Sequence, residues 1–251
     1  MINMEVCANS LRSAQAAQDG GAIRVELCDN LLEGGTTPSY AQIVLAKRML
    51  NIQVYPIIRP RGGDFLYSEL EFELMKEDIK LCRELKCDGV VIGILKSDGS
   101  VDKERCRELI ELVGDMKVTF HRAFDMSNDL FQALEDIIEL GCTRILTSGG
   151  ESSALKGAAV LKSLIEQANG RISIMPGAGV NVHNIEELIQ LTGAKEFHAS
   201  AKNAVSSEMQ FRNPKLNMGA EADEFSYDLT SSDTVKRLIE LANPGNLNPK
   251  K

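Results

Sequence analysis

The 251-residue chain has no apolar run approaching the roughly 20 residues that a helix needs to cross a bilayer. Its N-terminus, MINMEVCANS, lacks the basic and apolar segments of a secretory signal. Together these absences predict a cytoplasmic protein with no membrane partner. Basic charge is also in short supply: 28 Lys and Arg face 36 Asp and Glu, a formal net charge of −8. Without a basic face a chain does not hold nucleic acid non-specifically, so the charge reads as a solubility feature. Tryptophan is absent, which excludes nothing. Cys7, Cys28, Cys82, Cys87, Cys106 and Cys142 form no C-x-x-C pair and no dense loop framework. That spread excludes a small disulfide scaffold and predicts reduced thiols.

What is present is an ordinary globular balance, 43% hydrophobic and 25% charged. Short β-rich runs fall at Met4–Cys7, Arg24–Cys28, Gln53–Ile58, Gly89–Ile94, Lys117–His121, Arg144–Thr147, Arg171–Met175 and Lys195–His198. They are separated by about 20–35 residues, the size of a strand–helix unit. Helical patterns lie between them, at Leu11–Gln18 after the capping pair Asn9-Ser10, at Ser39–Leu50 opened by Pro38, and at Glu69–Leu85. Others follow at Asp102–Val113, Leu130–Leu140, Leu155–Ala168, Asn184–Leu191 and Thr234–Ala242. This α/β alternation predicts a single (β/α)8 TIM-type barrel domain over 1–251. A doubly wound open sheet is the alternative, but it expects G-x-G-x-x-G after the first strand, and the link there is CANS. The stretch 202–230 lacks periodicity and reads as an irregular excursion before the last helix, over the barrel mouth or in a subunit interface. Residues 243–251 read as a frayed tail.

Polar chemistry gathers at the C-terminal ends of the strands, where barrel sites are built. Strand five, KVTFHRAFD, runs from buried residues directly into His121 and Arg122. Unpaired buried charge is costly, so such groups are either paired or line a site. Alternation puts Glu5 with Cys7, Glu26 with Cys28, and His198 with Ser200 on common inward faces. The set suggests acid–base chemistry by Glu5 or Glu26 with His121 and Arg122, and carboxylate or phosphate clamping by Arg59 and Arg61. Ser148, Gly149 and Gly150 after strand six, and Gly177 and Gly179 after strand seven, offer amides to an anion. His198 and Lys202 add polar groups at the end of strand eight. Read so, the mouth suits a small polar, anionic or sugar-like ligand. The competing reading is that individual carboxylate–arginine pairs are buried ion pairs that fix packing. His183 reads as exposed or capping, and Cys82, Cys87 and Cys106 as packing residues on outer helices.

Six ordered motifs carry a family resemblance. They are Val25–Cys28, Gly34–Ser39 (GGTTPS), Ile58–Phe65 (IRPRGGDF), His121–Asp125 (HRAFD), Thr147–Gly150 (TSGG) and Met175–Val180 (MPGAGV). Phe211–Pro214 and Met218-Gly219 add to them. Over about residues 4–242 the chain resembles the copper homeostasis protein CutC family. The resemblance implies a TIM-type barrel, a cytoplasmic location, a homodimer, and a role in copper homeostasis with copper binding. Cu(I) prefers sulfur, and Cys7 and Cys28 on adjacent strands are then the metal candidates, with Met175 more distant. Glu5, Glu26, His121 and His198 could instead hold a divalent ion such as Zn²⁺ or Mn²⁺. Three classes stay open: a copper handler, a barrel enzyme (lyase, isomerase or hydrolase) of unassigned reaction, and a non-catalytic dimeric scaffold.

Overall fold

Alternate side chains along β1 (Asn3–Ala8) and β2 (Arg24–Leu27) enter two different buried layers. Met4, Val6, Ala8, Val25 and Leu27 join the large apolar core under the helices. Cys7 and Cys28 join Tyr55, Ile57 and Val91 in a separate cluster inside the barrel. A computed structural model describes residues 1–213, 215–216 and 224–245. After β2 come β3 (Gln53–Pro56), β4 (Gly89–Ile92), β5 (Lys117–Phe120), β6 (Arg144–Thr147), β7 (Ser173–Pro176) and β8 (Glu196–Ala199). The helices between and after them are α1 (Leu11–Asp19), α2 (Tyr40–Met49), α3 (Glu69–Glu84), α4 (Lys103–Val113), α5 (Leu130–Glu139), α6 (Ala158–Ala168), α7 (Ile185–Thr192) and α8 (Ser232–Ala242).

Two parallel ladders, β3-β2-β1-β8 and β4-β5-β6-β7, form the wall. They meet at a parallel bridge between Ile57 and Val91, where the Ile58 amide donates to the Val91 carbonyl at 2.8 Å, and again where β7 lies beside β8. The result is a (β/α)8 barrel. Side-chain caps set the helix starts: Ser10, Ser39, Asp102, Asp129 and Ser231 accept from first-turn amides, and Ser68 forms a capping box with Glu71. Because Ser39 is the cap, Pro38 lies before α2 rather than inside its first turn. No helix among the described residues is long and apolar enough to cross a membrane.

The excursion is more regular than its sequence suggests. Its flanks form an antiparallel hairpin, β9 (Lys202–Ser206) with β10 (Ser226–Thr230). Most of β9 is exposed, so no alternation of apolar residues marks it as a strand. The hairpin lies against α1, where the Thr230 amide donates to Ser13 Oγ at 3.1 Å, and it gives no residue to the cavity at the mouth. Asn243, expected to fray, is anchored: it accepts from the Ile2 amide at 2.7 Å and donates to the Ile2 and Ile239 carbonyls. Pro214, Met218-Gly219 and the tail beyond Gly245 lie outside the described residues.

Below the mouth, the barrel interior holds ionised groups. Arg24, 2% exposed, bonds Glu5 through Nε and Glu196 through Nη2, the latter at 2.6 Å. Arg144 reaches the same Glu196 oxygen at 3.1 Å. Both guanidinium groups lie over the Tyr55 ring, at 5.2 and 5.4 Å from its centroid. The β1–β2 register places Glu5 directly opposite Arg24. Removing one member of such a pair leaves the other as uncompensated buried charge. Arg24→Met is expected to lower unfolding free energy by about 3–5 kcal/mol, measured by denaturant titration at pH 7. A loss below about 1 kcal/mol, as for a surface pair, would contradict it.

Candidate functional site

A cavity of about 400 Å³ opens at the C-terminal ends of the strands. Cys7, Glu26, Arg59, His121, Arg122 and His198 bring polar groups to its wall, and Leu31, Ile57, Phe65, Leu146 and Val180 bring apolar surface. Gly179 lines it as well. Of the remaining residues expected at the mouth, Glu5 and Cys28 are buried behind this wall. Arg61, Ser148, Gly149, Gly150, Gly177 and Lys202 lie outside the lining.

Glu5 is not free to act as a base. Burial alone would raise its pKa, but Arg24 on one side and His198 Nδ1, 2.7 Å away on the other, bring it down to about 2. The register explains the arrangement, since Glu5 is opposite Arg24 on β2 and His198 on β8. Burial disfavours a charged His198, yet the Glu5 hydrogen bond and the Glu26 charge raise its pKa above the ordinary value. Glu26 faces the opposite situation. Burial and the Glu5 charge push its carboxyl up to about 7 against the opposing pull of His198, and its Oε2 has no hydrogen-bond partner. The Cys7 thiol donates to Oε1 at 3.8 Å, and His198 Nδ1 lies 4.0 Å from Oε2.

The two inner cysteines touch, Sγ to Sγ at 3.5 Å. Contact with Cys28, burial and the nearby carboxylates hold the Cys7 thiol well above its ordinary pKa. One ligand atom each from Cys7, Glu26 and His198 falls within 4.8 Å of the others, a mixed sulfur, oxygen and nitrogen donor set. Met175 is elsewhere in the interior, with its sulfur 3.6 Å from Arg24 Nη2.

His121, at the end of β5, is a neutral imidazole. Its Nδ1 accepts from the Ala123 amide at 3.1 Å, which places the proton on Nε2. Burial, and then the charge of Arg59, lower its pKa to about 3. Nε2 has no partner. Glycine at position 93 is required here, because a Cβ would come within 2.5 Å of the ring. Phe65 stands 5.0 Å from the His121 ring and 5.0 Å from the Arg59 guanidinium. Arg59 donates to the carbonyls of Glu33 and Gly35 at 2.7 Å and of Gly63 at 2.8 Å, fixing the loops after β2 and β3.

The remaining expected anion ligands have internal partners. Arg61 is bound to Asp64 and Glu71 outside the cavity. The amides of Ser148 and Gly150 donate to Asp125 at 3.0 Å, and the Gly149 amide donates to Thr147 Oγ1 at 2.8 Å. The loop therefore cradles the protein's own carboxylate, with Gly149 and Gly150 at φ +73° and +75° shaping the turn. Arg122 completes this arrangement by binding Asp125 at 2.7 Å and Ser148 Oγ at 3.0 Å. The Gly177 amide donates to the Thr147 carbonyl at 2.9 Å, extending the strand pairing. Lys202 pairs with Asp228 across the hairpin. Arg24, Phe65 and Asp125 shape the site without being among the residues that the sequence pattern singles out. Period-two alternation from Glu26 would have found Arg24, two residues earlier on the same face.

The sequence model that defines the CutC family matches residues 2–203. A family protein CutC from Chromobacterium violaceum is 55% identical over 238 residues, covering 94% of this chain and 96% of the relative. The human copper homeostasis protein cutC homolog is 49% identical over 233 residues, covering 93% and 85%. The crystal structure of the putative copper homeostasis protein CutC from Streptococcus agalactiae superposes with TM-score 0.77 at 40% identity, covering 80% of this chain and 99% of that one. A phosphoribosylanthranilate isomerase from Thermotoga maritima, with TM-score 0.57 and 13% identity over 97% of this chain and 99% of that one, shares the barrel fold.

The Glu26 environment gives a pH-dependent stability with a definite sign. Its folded pKa, about 7, lies above the ordinary 4.5, so folding favours its protonated form. That contribution is full below pH 4.5 and is lost as pH rises through 7. Relative to Glu26→Gln, the wild type is expected to lose about 2–4 kcal/mol of stability between pH 4.5 and pH 8. Denaturant titrations of both proteins across that range measure it, and parallel profiles would contradict it.

Proposed function

The chain belongs to the CutC family, and from that premise we propose that it binds copper as cargo, as Cu(I), through Cys7 on the wall of the mouth cavity and Cys28 directly behind it. The observation that carries this reading is the 3.5 Å contact between the two sulfurs, made by adjacent inward strands. The donor chemistry fits: thiolate sulfur selects Cu(I), and imidazole also suits copper. His198 is close to Cys7 and is oriented by Glu5, as a carboxylate orients a metal-binding imidazole. The role proposed is copper homeostasis, the function named for the human and mouse relatives.

Both thiols lie buried, and Cys7 holds its proton tightly. The metal must displace that proton, so affinity falls on acidification. A cytoplasmic location belongs to the same proposal, because thiols stay reduced there. So does a homodimer, supported by the exposed apolar residues Leu66, Leu70 and Leu74 on and beside α3.

Competition titration with a Cu(I) chelator is expected to show one high-affinity site per chain. Cys7→Ser/Cys28→Ser should weaken it by more than about 100-fold, and His198→Ala by about 10-fold. Wild-type affinity should rise about tenfold per pH unit for each proton displaced. Unchanged binding in the double serine variant would overturn the assignment.

A further inference from the structure

Among the described residues, three polar side-chain atoms around the mouth cavity are buried and lack a well-formed hydrogen bond: Glu26 Oε2, Arg59 Nε and His121 Nε2, of which Glu26 Oε2 has His198 Nδ1 at 4.0 Å and Arg59 has the Tyr67 hydroxyl beside it. Their residues are 3%, 4% and 3% exposed. Of the two further orphaned atoms among the described residues, Gln42 Oε1 is away from this cavity, and the Tyr67 hydroxyl neighbours Arg59 from behind the lining. Buried polar atoms are nearly always satisfied, so Glu26 Oε2 and His121 Nε2 on one cavity mark groups that await a ligand, with the uncompensated charge of Arg59 beside them. We propose that the cavity also binds a small hydroxylated carboxylic acid of sugar size, its carboxylate held by Arg59 and His121 and a hydroxyl held by Glu26.

The carboxylate end follows from charge. Of the cations lining the cavity, Arg122 is paired with Asp125 and His198 with Glu5. Arg59 alone has no carboxylate partner among the described residues; it is held by three backbone carbonyls, which satisfy N–H groups without neutralising the charge. His121 adds a donor of fixed direction, because the Ala123 amide occupies Nδ1 and leaves Nε2–H for an acceptor. A ligand carboxylate supplies the negative charge and the acceptor together.

The hydroxyl end follows from Glu26, three strands away round the barrel from His121. Glu5 nearby is fully used by Arg24 and His198, whereas Glu26 Oε2 makes no hydrogen bond and has only His198 Nδ1 near it, at 4.0 Å. The carbon skeleton follows from the walls between. Phe65 packs beside both Arg59 and His121, and Leu31, Ile57, Leu146 and Val180 complete an apolar surface. That surface suits the C–H faces of a ring, and about 400 Å³ is in the range of small-molecule sites. The inference concerns a different set of groups from the sulfur pair, and it stands or falls separately from copper.

The test uses metal-free protein titrated with D-glucuronate by calorimetry, beside D-glucose, which lacks the carboxylate, and hexanoate, which lacks the hydroxyls. Glucuronate is expected to bind at least about tenfold tighter than either. His121→Ala should weaken it at least about tenfold, Glu26→Gln should weaken it measurably, and Lys202→Ala should leave it unchanged. Circular dichroism confirms folding of each variant, and Arg59→Lys serves as an independent check if His121→Ala does not fold. Absence of glucuronate binding, equal binding of glucose, or full binding by a folded His121→Ala would each overturn the proposal. Chelator titration of the same samples reads copper separately, so either assignment can fail alone.

Discussion

The carboxylate of Glu5, shared between Arg24 and His198, is the interaction on which the mouth of this barrel depends. It sits where two strand registers converge, opposite Arg24 on one neighbour and His198 on the other. An ionised group buried this deeply is tolerated because a guanidinium and an imidazole bind its two oxygens. Arg24 then carries the arrangement on to Glu196 and Arg144 across the barrel floor. The consequence reaches upward: His198 is held in place and favoured in its charged form, and Glu26, buried beside the Glu5 charge with no guanidinium of its own, is pushed toward neutrality.

Most of the remaining polarity at the mouth is spent internally. Asp125 takes up the amides after β6 and braces Arg122, and the backbone carbonyls of three loop residues hold Arg59. A barrel mouth built from loops needs such internal bonds to give it one shape. After them, the groups left for a ligand among the described residues are a pair of touching thiols with only weak contacts, one carboxyl oxygen, one imidazole N–H and the uncompensated guanidinium of Arg59. The first supports the copper reading and the other three support an organic ligand.

The barrel itself could be read from the sequence, because eight buried strands and eight amphipathic helices, six of them with side-chain caps, leave periodic signals that depend on local geometry alone. Each of the eight barrel strands and eight helices lies within about three residues of its expected place. The inward direction of Glu5, Cys7, Glu26 and Cys28 followed from alternation for the same reason. Which groups pair is a different matter, because it depends on register between strands that are far apart in sequence. Glu5 looked like a candidate base until Arg24 and His198 were seen on either side of it. The TSGG loop has the composition of an anion cradle and is one, but the anion is Asp125 from the preceding strand's loop. Arg61 and Lys202 carry the right charge at the right strand ends and turn outward to Glu71 and Asp228. The β9–β10 hairpin gave no signal because exposed strands have no apolar face to alternate.

The division of roles between the two inner carboxyls is the central claim, and carbon NMR of the Glu side-chain carboxyls measures it directly. Across a titration from pH 3 to pH 9, the account predicts that Glu26 changes ionisation near pH 7 while Glu5 remains ionised throughout. Both residues titrating together near the ordinary 4.5 would contradict it.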